Sequence, residues 1–170
     1  MKPTLIFQAP VSTRSGYGDW GMAVAKSLLR YDKFDLKVVP TRWGATPSRH
    51  SIEEMNDDME KELFSRILRS PLTKQPELFI QISIPNEFQK IGKYNIGMTA
   101  GIETDHVDSS WIEGVNRMDL TLVSSEHAKK GFIDSEYQNQ QTNQILKVQK
   151  PIEVLFEGLD INTFFKTDSI

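Results

Sequence analysis

Two stretches of this chain carry residues whose types and spacing are suited to chemistry. The first is Ala100–Ser110 (AGIETDHVDSS), where Glu103, Asp105, His106 and Asp108 gather three carboxylates and an imidazole within six positions. Such a group can supply a general base, acceptors for sugar hydroxyls, or a carboxylate–histidine pair. Asp108 and Ser109 stand directly before a short amphipathic run, where their side chains are suited to capping a helix. Glu103 and Asp105 lie upstream of that cap and are the candidates for handling a proton, with His106 beside them. The second stretch is Ser12–Gly21 (STRSGYGDWG), between an apolar run and an amphipathic one. Where a strand hands over to a helix, unpaired backbone N–H groups and the helix dipole favour an anion. Gly16 and Gly18, lacking a β-carbon, let the main chain approach a ligand. Ser15, Gly16, Tyr17 and Gly18 are therefore assigned to one wall of a site for a phosphate-bearing or other polar ligand.

Gly16, Gly18 and Gly21 also satisfy G-x-G-x-x-G, the dinucleotide pattern. In that pattern the first glycine follows the strand almost directly, and an acidic residue closes the second strand. Here Pro10 to Ser15 intervene, and the second strand runs into Pro40, Thr41 and Arg42. Arg42 leaves a nicotinamide dinucleotide carrying a 2′-phosphate as an alternative ligand. Metal binding is not expected: His50 and His127 are remote in sequence and no ligand spacing recurs.

The elements that must position these groups follow from periodicity. Short, nearly all-apolar runs read as strands at Thr4–Ala9, Phe34–Val39, Glu77–Ile82, Tyr94–Thr99, Asp119–Ser124 and Pro151–Phe156. Helical spacing follows the glycine loop as far as Arg30–Tyr31. A second helix is expected from Ser51, with Glu54 completing a capping box and Met55, Met59, Leu63, Phe64 and Ile67 on its apolar face. Further helices are expected at Ser110–Val115 and Glu126–Tyr137, the latter capped by Ser125. Residues 135–150, rich in Gln and Asn, read as an exposed mobile loop. Trp43 lies on a glycine- and proline-rich loop, with packing and ligand contact both open to it. Strands that alternate with helices or crossovers imply an α/β fold, a parallel sheet of six or seven strands with helices on both faces, in a single domain. Ligands of such sheets bind beyond the carboxyl ends of the strands, which brings together the loops 10–19, 100–110 and 124–129.

Bulk properties narrow the class. The chain has 170 residues, 38% apolar and 25% charged, as an ordinary single domain does. A net charge of −3 gives no general attraction to nucleic acid or anionic membranes. Cysteine is absent, which removes disulfides and thiolate metal sites. No segment approaches the length of a membrane span or a signal peptide, so a cytoplasmic location is expected.

The run NIGMTAGIETDHVDSSWIEGVNRMDLTLVSSEHAKKGF (95–132), followed by PIEVLFEGLDINTF (151–164), resembles the N-terminal half of GT-B glycosyltransferases of family 4, including phage-encoded members. The matching positions are Trp111, Asp119, Val123–Ser124–Ser125, Lys129 or Lys130, and Gly158–Leu159–Asp160 with Phe164. The SGYG loop at Ser15–Gly18 resembles the family's glycine loop facing the donor's phosphates. The resemblance implies a Rossmann-like domain over 1–158 and, over 159–170, the start of a linker to a C-terminal donor-binding domain outside the chain. It implies an acceptor-side half-enzyme that transfers a hexosyl group from a sugar nucleotide to an acceptor hydroxyl. Asp105, Glu103 and His106 would be at the chemistry, and Ser15–Gly18, Ser124 and Lys129 on the substrate. No cofactor beyond the nucleotide-sugar donor is implied, and residues 1–170 alone are expected to show little or no activity. Two other classes remain open: an NAD(P)-binding oxidoreductase domain, and a non-enzymatic Rossmann-like interaction module.

Overall fold

The computed structural model describes residues 2–48, 57–138 and 140–158. In chain order the elements are β1 (Thr4–Ala9), α1 (Gly16–Tyr31), β2 (Asp35–Pro40), α2 (Asp58–Ser65), β3 (Leu78–Ile82), β4 (Tyr94–Thr99), α3 (Ser109–Arg117), β5 (Leu120–Val123), α4 (Glu126–Asp134), β6 (Tyr137–Gln138), β7 (Ile145–Leu146) and β8 (Ile152–Val154). A 3-10 turn at Pro85–Glu87 links β3 to β4.

Six strands make one wholly parallel sheet in the order β2-β1-β3-β4-β5-β8. Beyond β2, Ile67 adds a single parallel bridge to Val38. The Val38 N–H donates to the Arg66 carbonyl at 3.0 Å, and the Leu68 N–H to the Val38 carbonyl at 2.9 Å. With that stub counted as the third strand, the order reads 3-2-1-4-5-6-7. This is the doubly wound, Rossmann-like arrangement, whose direction reverses between β1 and β3.

Right-handed crossovers decide which face each helix covers. From β1 outward the chain lays α1 and α2 over Leu5, Phe7, Leu36, Val38, Ile80, Ile82 and Met98. From β3 the other way it lays α3 and α4 over Ile6, Phe79, Val123 and Ile152. Phe7, Phe79 and Phe132 are fully buried; burying such a ring is worth about 2–3 kcal/mol. Strands covered on both faces read as near-continuous apolar runs, which is why all six were visible in the sequence.

Helix α1 starts on Ser15, whose hydroxyl accepts from the Gly18 N–H, and ends on Asp32 in the left-handed conformation. Helix α2 is capped by Asp57. Lys26 of α1 reaches Asp57 at 2.5 Å and Glu60 at 2.9 Å, tying the two helices together. Burial pulls the Lys26 pKa down, yet the bonds to these two carboxylates outweigh it and leave the net shift upward.

Some expectations need adjustment. Helix α2 stops at Ser65, before Pro71, because residues 66–68 leave it to bridge β2. Helix α4 ends at Asp134, not Tyr137, since buried Ser135 donates to the Gly131 carbonyl and accepts from the Val107 N–H. Within 135–150, β6 and β7 form an antiparallel pair rather than a bare loop. The Tyr137 hydroxyl anchors it on the Val107 carbonyl. The expected cap at Ser51 with Glu54, together with His50, Met55, Leu159, Asp160, Phe164 and the expected linker over 159–170, lies outside the described residues.

Candidate functional site

The loops that follow β1, β4 and β5 meet at the carboxyl rim of the sheet. Tyr17, in the first turn of α1, spans the gap to β4. Its phenol oxygen accepts the Ala100 N–H at 3.0 Å and shares a 3.2 Å hydrogen bond with the Thr99 hydroxyl. From the other side, Ser124 at the end of β5 donates to the Ala100 carbonyl at 2.9 Å. Ala100 is thus held from both flanks. Next to it Gly101 adopts φ +89°, and a β-carbon there would stand 2.5 Å from that of Ala128 on α4. Only glycine combines that backbone angle with that contact.

The glycine loop is built inward before it faces outward. The Thr13 hydroxyl donates to the Pro10 carbonyl at 2.9 Å, so the 2.8 Å bond between Thr13 and Ser15 takes its proton from Ser15. Ser15 also accepts from Gly18, at 3.0 Å, so its hydroxyl is committed to the cap. Gly21 packs against Ala9 of β1, and Gly16 has open space where a side chain would stand. Among the described residues the N–H groups of Gly16 and Tyr17 have no partner. They are the donors left for an anion at this end of α1.

The acidic loop behaves differently along its length. Its backbone descends the flank of α4. His127 donates from Nε2 to the Glu103 carbonyl at 3.2 Å, Gly131 lies beneath the Thr104 and Asp105 carbonyls, and Val107 reaches Ser135. Each residue along a helix advances 1.5 Å, so Asp105 and His106 lie a turn below the rim while Glu103 stays by the first turn of α4. The side chains of Glu103, Asp105 and His106 are exposed. Asp105 adds to the upward shift of the Lys130 pKa, whose main cause is the bond from Lys130 to Asp134. Asp108 caps α3 through the Ser110 N–H, as expected.

Lys129 turns away from the glycine loop. Its ammonium bonds Glu153 on β8 at 2.8 Å, which holds its pKa above the ordinary value. Trp111 of α3 is partly buried and stacks on the buried Phe132 of α4, at 6.0 Å. Asp119 accepts from the Asn95 side chain and N–H, stapling β5 to β4. Among the positions that carry the family resemblance, these two act in the framework. The structure therefore joins Ser15–Gly18, Glu103 and Ser124 through one rim, and leaves Asp105, His106 and Lys129 on the flanks of α4.

Sequence reasoning missed two participants. Thr99 and the Ala100 backbone receive Tyr17, and a hydroxyl closing a strand just before Ala-Gly was the available signal. Trp43, for which the sequence leaves packing and ligand contact both open, stacks face to face on Tyr17, at 4.0 Å and 18°. Beside that stack, the loop after β2 and the start of the glycine loop enclose a cleft of about 350 Å³ containing Arg42. Among the described residues no group of three or more His, Asp or Glu side chains is placed to hold a metal, and no helix is long and apolar enough to cross a membrane. No family model, curated protein or solved structure matches the chain.

Proposed function

We propose that residues 1–158 form the acceptor-side wall of a nucleotide-sugar-dependent glycosyltransferase that moves a hexosyl group onto an acceptor hydroxyl. The observation that supports it best is the clamping of Ala100 between Tyr17 and Ser124, which makes three rim loops one surface. Departure of a nucleoside diphosphate needs stabilisation of developing negative charge, and preorganised N–H donors do this well. Gly16 and Tyr17 are those donors in this reading. Orientation of the acceptor hydroxyl falls to Glu103, which stays at the rim, while Asp105 and His106 lie a turn below it on the flank of α4. The opposite bank of the groove, which grips the nucleotide, belongs to a second domain in a GT-B arrangement.

The reading is tested on residues 1–170 by following backbone amides during titration with UDP, UDP-glucose and GDP-mannose. Weak binding that shifts Gly16, Tyr17 and Ala100, with negligible release of nucleoside diphosphate, is the expected result. Turnover at enzyme-like rates would sink the half-site idea, and silent amides at all three positions would sink the donor assignment.

A second reading has one observation in its favour: Arg42 follows β2 directly, where a 2′-phosphate of a nicotinamide dinucleotide is held. Against it, the approach that the second glycine of the pattern gives a pyrophosphate is filled at Gly18 by Thr13 of the loop itself. Tight NADPH binding to the rim would promote this reading.

A further inference from the structure

The cleft beside the Tyr17–Trp43 stack has a chemical character of its own. Its walls come from Ser12 and Thr13 on one side and from residues 41–48 on the other. Ser12, Thr41, Thr46 and Ser48 line it with hydroxyl-bearing side chains, and among the described lining residues Arg42 is the one cation and none is an acid. Arg42 makes no hydrogen bond or ion pair with any described residue. A guanidinium without a partner among the described residues, in a hollow whose described lining carries hydroxyls and no acid, is matched by an anion that also carries hydroxyls.

The walls are fixed before any ligand arrives. Thr13 and Ser48 form an antiparallel bridge, and the Arg14 N–H donates to the Pro47 carbonyl at 3.0 Å. The Thr41 N–H is held by the Ala9 carbonyl at the end of β1, and the Thr46 N–H by the Trp43 carbonyl, each at 3.0 Å. A cleft set this way spends little of a ligand's binding energy on ordering itself. Its volume lies at the small end of the range for ligand sites. Among the described residues no aromatic face lines it, since Trp43 and Tyr17 are turned onto each other, so none of them offers a nucleobase a platform.

We propose that this cleft is the acceptor subsite and that its ligand is a sugar phosphate, with Arg42 on the phosphate and the Ser and Thr hydroxyls on the sugar ring. This rests on the glycosyltransferase reading and names the acceptor's class. The cleft adjoins the start of the glycine loop at Ser12 and Thr13, so an acceptor held there lies beside the loop assigned to the donor.

The test is calorimetric titration of residues 1–170 with glucose 6-phosphate, glucose 1-phosphate, glucose and inorganic phosphate, repeated on Arg42→Gln and Arg42→Lys. At least one sugar phosphate is expected to bind ten times or more tighter than glucose or phosphate alone. Arg42→Gln should remove at least tenfold of that affinity, Arg42→Lys should restore part of it, and the thermal midpoint of both variants should match the parent. Equal affinity for inorganic phosphate and the sugar phosphates, indifference to Arg42→Gln, or absence of sugar-phosphate binding each overturns the proposal. So does NADPH binding that is tighter than NADH binding and depends on Arg42. UDP-induced shifts at Gly16 without sugar-phosphate binding would end the acceptor assignment and spare the transferase reading. Sugar-phosphate binding with no UDP response would leave the cleft a sugar-phosphate site but end the transferase reading, and with it the acceptor assignment.

Discussion

Gly18 runs so close to Thr13 that a β-carbon on residue 18 would stand 2.2 Å from the Thr13 carbonyl oxygen. Two residues earlier, a β-carbon on residue 16 would have nothing within 4 Å of it. The two glycines of one short loop therefore serve different ends. Gly18 lets the loop fold onto its own helix; Gly16 keeps the rim clear.

Alanine substitutions should separate these roles. Gly18→Ala forces the loop off the α1 cap and should cost about 1–3 kcal/mol, as overpacking does. Gly16→Ala meets no atom and replaces a flexible residue in the first turn of a helix, so stability should hold or rise by about 0.5 kcal/mol. Chemical denaturation measures both. Under the proposed function, Gly16→Ala should nevertheless weaken the UDP response at Tyr17 and Ala100, because its methyl group enters the space left for phosphate.

Tyr17→Phe keeps the ring against Trp43 and removes the oxygen that accepts from Ala100. The site is half-buried, so water can replace part of the loss, and the expected cost is about 1 kcal/mol. In a domain of this size that is a drop of about 2–4 °C in thermal midpoint. Amide hydrogen exchange at Ala100 should accelerate more than at Ile96, deep in the same strand. Equal acceleration at both would mean that Tyr17 supports β4 as a whole and not its end.

Fold and site were legible to different depths for physical reasons. Strands such as Leu78–Ile82 announce themselves because burial on both faces leaves few polar positions in the pattern. Caps at Ser125 and Asp108 announce themselves because few side chains satisfy exposed helix N–H groups. The Ile67 bridge could not be read: one residue on a sheet edge carries no periodicity. Nor could the orientation of Lys129, since a lysine one turn into α4 reaches the rim or Glu153 equally well in sequence. The descent of the acidic loop along α4 depends on Gly101, Gly131 and Ser135, which are distant in sequence and join only in three dimensions.

Asp119 supplies a dependence on pH with a definite sign. Hydrogen bonds from Asn95 hold its carboxyl below the ordinary aspartate pKa. A depressed folded-state pKa contributes stability that is fully present above the unfolded value, about 3.9, and is lost as pH falls through the folded one. Unfolding free energy should therefore decline below about pH 4, with Asp119 among the contributors. In Asp119→Ala that component of the decline should vanish. At neutral pH the variant should be less stable by about 1–3 kcal/mol, since the Asn95 N–H loses its partner. Denaturant titrations at pH 7 and pH 3 decide it, and parallel pH profiles for parent and variant would refute the assignment.

Trp43 connects the cleft to the rim, so its substitution should be felt on both sides. The indole stacks on Tyr17, and its carbonyl accepts the Thr46 N–H that shapes the cleft wall. An aromatic pair of this kind is worth about 0.5–1.5 kcal/mol beyond the area it buries. Trp43→Ala should lower stability by at least that amount and free the loop after β2 to move. Ordering the loop again would then fall to the ligand, and a cost of about 1.4 kcal/mol weakens binding tenfold. Trp43→Phe keeps a ring on Tyr17 and should retain most of the glucose 6-phosphate affinity. If Trp43→Ala loses stability while sugar-phosphate affinity stays at the parent value, the stack holds the rim alone and the cleft wall is rigid without it.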